Sequence, residues 1–223
     1  MLISLEGLPG AGKSTQGRML AEHLQRKGTK TCYLPDLETQ VTDELGDRLF
    51  ELFALSGDPF RRSGDVTTDT FLAGAIRAHI LATQIQPALE AGYTVIEDRG
   101  AHTMYSYSLA GVLQHHRMDV GPAIRWLKAC GGLAGREADT SILLLLPPEQ
   151  AAKRVAERPG RPWNEEELLF LGYVDQAYRH LEAVDPQFVA IDTVALTAGE
   201  VHCVICCLIA ARTTTVGLER WHE

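Results

Sequence analysis

Five short, nearly all-apolar runs punctuate the chain: Leu2 to Leu5, Thr31 to Leu34, Thr94 to Glu97, Ser141 to Leu146 and Phe188 to Ile191. None alternates polar with apolar positions, and each is separated from the next by stretches of helical spacing, so each predicts a strand buried on both faces. Strands of this kind joined by helical crossovers make a doubly wound parallel sheet, an α/β architecture. Helix punctuation agrees. Gly28 follows the first helix, Pro147-Pro148 open the one after the fourth strand, and Thr197 with Glu200 makes a capping box before the last. Ligands of such sheets gather at the carboxyl ends of the strands. The chain has 223 residues, 45% of them hydrophobic, enough for one sizeable core, and no linker, repeat or low-complexity tract divides it. A single domain over 1–223 is expected.

The first run leads into Glu6-Gly7-Leu8-Pro9-Gly10-Ala11-Gly12-Lys13-Ser14-Thr15. Gly7, four residues, then Gly12-Lys13-Ser14 is a complete phosphate-binding loop. Glycines let consecutive backbone N–H groups turn inward around phosphate oxygens, Lys13 adds a point charge near the β and γ phosphates, and Ser14 offers its hydroxyl to Mg²⁺. The helix from Thr15 aims its positive end at the same anion. A junction that needs glycine for geometry alone is the plain alternative. The order strand, loop, helix favours ATP, held by Gly7, Gly10, Ala11, Gly12, Lys13, Ser14 and Thr15.

Directly after the third run stand Glu97-Asp98-Arg99, at the same sheet edge as the loop. A carboxylate there can hold a Mg²⁺-bound water, and an arginine beside it can grip a second phosphate with its planar fork. This gives Ser14 and Asp98 as metal residues and Arg99 as an acceptor clamp. Arg77, within the helical stretch from Asp65 to Gly92, reads as a second clamp. Arg154, Arg158 and Arg161 flank Pro159-Gly160 and Pro162-Trp163. They predict an arginine-bearing lid at about 154–166 that closes over a triphosphate.

Charge narrows the choice of partner. The formal net charge of −8 argues against a nucleic-acid polymer, which basic surfaces hold. A small acceptor is expected. Runs such as Val204 to Ala211 are too short to span a bilayer, and no basic segment precedes an apolar one at the N-terminus, so a cytoplasmic protein without a membrane is expected. Five cysteines fit a reducing compartment better than a disulfide framework. Cys203, Cys206 and Cys207 fall on one face of a late helix and read as small buried hydrophobes. The eight histidines, among them His115-His116, show no ligand spacing.

Together these residues resemble the thymidylate kinases, nucleoside monophosphate kinase-like members of the phosphate-loop proteins. The likeness rests on Glu6-Gly7 through Thr15-Gln16, on Phe71-Leu72-Ala73 with Arg77, on Gln86 through Gly92, and on Asp98-Arg99 with Thr103 and Tyr107. Pro147 through Arg154 and Asp185 through Asp192 complete it. The resemblance implies a P-loop NTPase fold with a five-stranded parallel sheet flanked by helices, ATP with Mg²⁺ as donor, a nucleoside monophosphate as acceptor, and a homodimer. It further implies that Arg99 and Arg77 hold the acceptor phosphate, with Thr103 and Tyr107 nearby, and that lid arginines bind the donor.

Departures from the family pattern cluster on the acceptor side. Pro9 stands where members carry Asp, Leu34-Pro35-Asp36-Leu37 where they carry Arg-Glu-Pro-Gly, and Gly100 where they carry an aromatic residue or His. Ala73 replaces a stacking phenylalanine, and Ser108 replaces a glutamine that reads the base. These differences predict weak thymidine specificity and poor use of dTMP. They also leave open a kinase of a nucleoside or other small alcohol with Asp36 or Glu38 as base. A non-catalytic nucleotide-binding regulator is the alternative of another class.

Overall fold

Residues 1–36, 43–115, 117–157 and 162–219 are described in the computed structural model. Five strands, β1 (Leu2–Glu6), β2 (Thr31–Leu34), β3 (Thr94–Asp98), β4 (Thr140–Leu145) and β5 (Phe188–Asp192), form one parallel sheet in the order β2-β3-β1-β4-β5. The expected runs and the strands coincide within a residue or so. Leu2, Ile3, Leu5, Val95, Ile96 and Ile142 are fully buried because helices cover both faces.

Helices α1 (Lys13–Arg26), α2 (Glu44–Ala54), α3 (Val66–Ile80), α4 (Gln86–Glu90) and α5 (Ala101–Gln114) occupy the first half of the chain. Four more, α6 (Val120–Ala134), α7 (Pro148–Ala156), α8 (Glu165–Glu182) and α9 (Ala198–Glu219), follow. Within the stretch from Asp65 to Gly92, residues 66–90 are helical throughout but change pitch. A π turn at Leu81–Ile85 joins α3 to α4 just before Pro87, whose ring nitrogen has no hydrogen for the ladder. Gly28 (φ 82°) closes α1, and Thr197 and Glu200 cap α9 reciprocally, the Thr197 N–H donating to Glu200 Oε2 at 2.7 Å. Asn164 and Glu167 do the same for α8.

The register places Leu5 of β1 beside Asp98 of β3, so the phosphate loop and the Asp98-Arg99 turn emerge together at the carboxyl edge of the central strands. Helix α5 starts from that turn and packs along α8. Among the described residues no helix is long and apolar enough to cross a membrane. Cys203 and Cys207 are exposed and Cys206 is partly so, which corrects the expectation of three buried hydrophobes: α9 packs through Val201, Ile205 and Ile209 instead. Glu38, Arg158, Pro159, Gly160, Arg161 and His116 lie outside the described residues.

Candidate active site

The donor half is made of backbone. Gly7, Gly10 and Gly12 all have positive φ, at 131°, 84° and 97°, a region that costs a side chain energy but glycine almost none. A Cβ on Gly7 would also press on the Leu144 carbonyl at 2.6 Å. The loop folds back so that Lys13 Nζ donates to the Gly7 and Leu8 carbonyls, 3.0 Å each. Burial, with Arg99 close by, lowers the Lys13 ammonium to about 7. A cation held so far from water is poised for an anion. Ser14 Oγ donates to Asp98 Oδ2 at 2.5 Å, and the second Asp98 oxygen is buried without a partner. A hydroxyl and an unsatisfied carboxylate oxygen side by side fit the hard-oxygen donor set of Mg²⁺. Arg154 sits in the last turn of α7, not in the loop beyond it, and its Nη1 donates to the Gly10 carbonyl at 3.2 Å.

The acceptor half is made of paired side chains. Arg99 has φ 75°, a left-handed conformation that costs a non-glycine residue roughly 1–2 kcal/mol and that clusters at functional sites. Its N–H donates to the Leu5 carbonyl at 3.0 Å, its Nε donates to Asp36 Oδ2 at 2.9 Å, and its guanidinium lies 6.0 Å from the centre of the Tyr107 ring. Arg77 is buried and forms a two-pronged pair with Glu97, Nη1 to Oε2 and Nη2 to Oε1, the latter at 3.1 Å. Arg77, expected as a second acceptor clamp, lines the cleft as a paired group, and its Nε has no partner. Burial pushes the Glu97 carboxyl up against the pull of Arg77.

Glu6, not among the expected site residues, and Gly100, noted only as a departure from the family pattern, organise this half. Glu6 accepts from Ser4 Oγ (2.5 Å), from the Gly100 N–H (3.0 Å) and from Thr103 Oγ1 (2.5 Å), tying β1 to the start of α5. Gly100 faces the Glu97 carboxylate and the Ser4 hydroxyl so closely that a Cβ would collide with both. This is why a larger residue after Asp98-Arg99 does not fit here.

Between these groups and the loop before α3 opens a cleft of about 430 Å³, within the range of small-ligand sites. Pro9, Asp36, Arg77, Arg99, Thr103 and Tyr107 line it, as do Ala73 and Ser108. Rings reach it from elsewhere. Phe60 sits 5.4 Å from Phe170 and 6.2 Å from Tyr107, centre to centre, and Arg62 covers the Phe170 face at 4.6 Å. Asp58 holds this loop by accepting from the Phe60 N–H at 2.8 Å and from Arg62 Nη2 at 2.7 Å. Phe71 points away, 58% exposed against Trp126, and Tyr105 is fully buried. The run Asp58-Pro59-Phe60-Arg61-Arg62, a turn that sets a ring between cations, was the signal available in the chain.

A family model described as thymidylate kinase matches residues 5–202. A probable thymidylate kinase from Methanocorpusculum labreanum is 34% identical over 201 residues, covering 86% of this chain and 89% of that protein. A thymidylate kinase from Desulfosudis oleivorans is 32% identical, covering 89% and 91%. One from Dinoroseobacter shibae is 37% identical over 153 residues, covering 69% and 68%.

Proposed function

The chain belongs to the thymidylate kinase family and is a nucleotide kinase, and from that premise we propose that it passes the γ-phosphoryl group of ATP to a nucleoside monophosphate while discriminating only modestly between bases. The observation that carries the reading is the adjacency of Asp98 and Arg99: one carboxylate touches Ser14 of the donor loop, and the next side chain lines the acceptor cleft. Two phosphates held by neighbouring residues are held close enough to react.

Loop N–H groups and Lys13 take the donor phosphates, and Arg154 flanks the loop from α7. Ser14 and Asp98 would hold Mg²⁺, which neutralises charge on the transferring group. Arg99 orients the acceptor phosphate, its own fork aligned by Asp36 and the Tyr107 ring. An acceptor phosphate oxygen then bonds to the γ-phosphorus as the bond to the ADP oxygen breaks. The acceptor is already an oxyanion, so no general base is required. Lys13 meets the charge that develops on the bridging side.

The ring wall bears on the base. Ala73 and Ser108 remove one stacked ring and one long amide from the family pattern, but Phe60, Tyr107 and Phe170 keep the cleft aromatic. Stacking is worth about 1–3 kcal/mol per base and is tolerant of base identity, so dTMP is accepted without being strongly preferred. Asp36 already accepts from Arg99, which suits it to orienting that arginine better than to taking a hydroxyl proton. A cytoplasmic homodimer completes the proposal, and sedimentation velocity reads the assembly.

The test is incubation with ATP, Mg²⁺ and a panel of nucleoside monophosphates, nucleosides and small phosphorylated metabolites, followed by ADP release and product mass. Nucleoside diphosphates should form, with kcat/KM across bases spread over about 10- to 200-fold. Phosphomonoesters made from nucleosides would overturn the acceptor assignment. One base preferred by about 10⁴-fold would overturn the modest discrimination.

A further inference from the structure

At the seam between the first and last helices, far in sequence from one another, three nitrogen and sulfur donors converge. His23 comes from the last turns of α1, while His202 and Cys206 stand one helical turn apart on α9 and so share a face. Cys206 Sγ lies 3.4 Å from His202 Nε2. The His23 and His202 rings meet edge to face, 5.5 Å between centres, and one donor atom from each of the three residues lies within 4.8 Å of the others. Nitrogen and sulfur ligands at ordinary zinc bond lengths and a tetrahedral angle are about 3.6 Å apart. The helical pair is close to that separation, and a donor atom of the third residue lies within 4.8 Å of both.

We propose that His23, His202 and Cys206 form a binding site for a borderline-soft divalent transition metal ion, zinc foremost, with water completing the tetrahedron. Two imidazoles and a thiolate select such an ion over Mg²⁺, whose preference is for hard oxygen donors. All three residues are partly exposed, so an ion can enter from solvent. Burial, helped by His23 and Arg26, lowers His202, which favours the neutral imidazole that a metal needs. Binding releases the thiol proton of Cys206 to solvent, leaving the site with one net positive charge. Arg26 and Lys27 are exposed cations that act on the site; burial and Cys203 push the Cys206 thiol up, with Lys27 pulling against them.

The site would sit on a joint that the protein already closes at its other end. Gln16 Nε2 of α1 donates to the Ala198 carbonyl at the start of α9, at 2.8 Å. A bound ion would add a second fastening, clamping the final helix to the helix that carries Lys13 and Ser14.

The full-length protein, freed of metal by chelation and kept reduced, is titrated with Co²⁺ and followed by absorption. Wild type should develop a thiolate-to-cobalt charge-transfer band with the strong visible bands of tetrahedral cobalt, saturate at one equivalent, and lose both on addition of Zn²⁺. The charge-transfer band reports sulfur ligation, so Co²⁺ at the active-site carboxylate is silent in it. Cys206→Ser should abolish the band. His23→Asn and His202→Asn should each weaken cobalt binding by more than about tenfold, the least that loss of even an outer-shell partner usually costs. Cys203→Ser should titrate like wild type, and all four variants should keep the wild-type circular dichroism and Mg²⁺-dependent kinase activity. Absence of the band in wild type, its survival in Cys206→Ser, or its equal loss in Cys203→Ser would overturn the proposal.

Discussion

The two halves of the site are built by different means. The proposed donor half is a loop of three positive-φ glycines and one buried lysine, all within Gly7 to Ser14. Around the acceptor, three arginines among the described residues are already paired: Arg99 with Asp36, Arg77 with Glu97, Arg62 with Asp58. A backbone cradle arrives nearly finished once its loop is folded. A cleft of paired side chains is oriented by contacts between separate parts of the chain, near β2, β3, α3 and the loop after α2, and its specificity should shift when any one of them changes. The donor half should therefore fail wholly when struck and the acceptor half by degrees.

Four measurements break or sharpen that contrast. The largest effect is expected at Lys13: Lys13→Ala should lower kcat by about 10³-fold or more. Its melting temperature should not fall, because the fold disfavours the charged form of this buried amine. A folded variant within a few-fold of wild type would remove Lys13 from the donor site. Next, Arg99→Ala should lower kcat/KM for the acceptor by about 10²-fold, some 3 kcal/mol for a charged two-pronged contact, with ATP affinity changed far less by calorimetry. Arg99→Gly should match it in kinetics yet melt higher, since glycine removes the roughly 1–2 kcal/mol cost of a left-handed backbone; equal melting of the two variants would contradict the stored strain.

Phe60→Leu should raise the acceptor KM by about tenfold, in line with the loss of one stacked ring, and leave the KM for ATP in place. A change confined to ATP would move Phe60 out of the acceptor cleft. The smallest effect concerns protons. Lys13 is lowered to about 7 in the folded loop from 10.5 when unfolded, so between those values the unfolded chain binds more protons and the contribution of this residue to stability rises with pH. Polyphosphate near Lys13 favours its charged form. At about pH 8, ATP binding should therefore take up a substantial fraction of one proton, seen as binding heats that vary with buffer ionisation enthalpy and absent in Lys13→Ala.

How much was legible follows the same division. Strands buried on both faces show as unbroken apolar runs, and the phosphate loop is a local pattern, so the sheet and Lys13, Ser14 and Asp98 could be located from the chain alone. Arg77 shows the limit. Its type and helix were evident, but its partner Glu97 lies twenty residues on, across an interface that only helix-on-sheet packing defines. Phe60 was overlooked for a related reason: it reaches the cleft from an irregular loop, where no periodicity says which way a ring points. His23 and His202 looked unrelated because the topology, not their spacing, sets α1 beside α9.

The contact of Gly100 with Glu97 and Ser4 also constrains how this site can change over generations. A residue with a side chain after Arg99 has no room until the Ser4 hydroxyl has rotated aside and the carboxylate at 97 has shortened or turned away, and removing that carboxylate first strands the buried charge of Arg77. Each single step is a loss, although the double replacement need not be. Lineages on either side of that barrier should be separated by paired substitutions at 97 and 100 and seldom by intermediates.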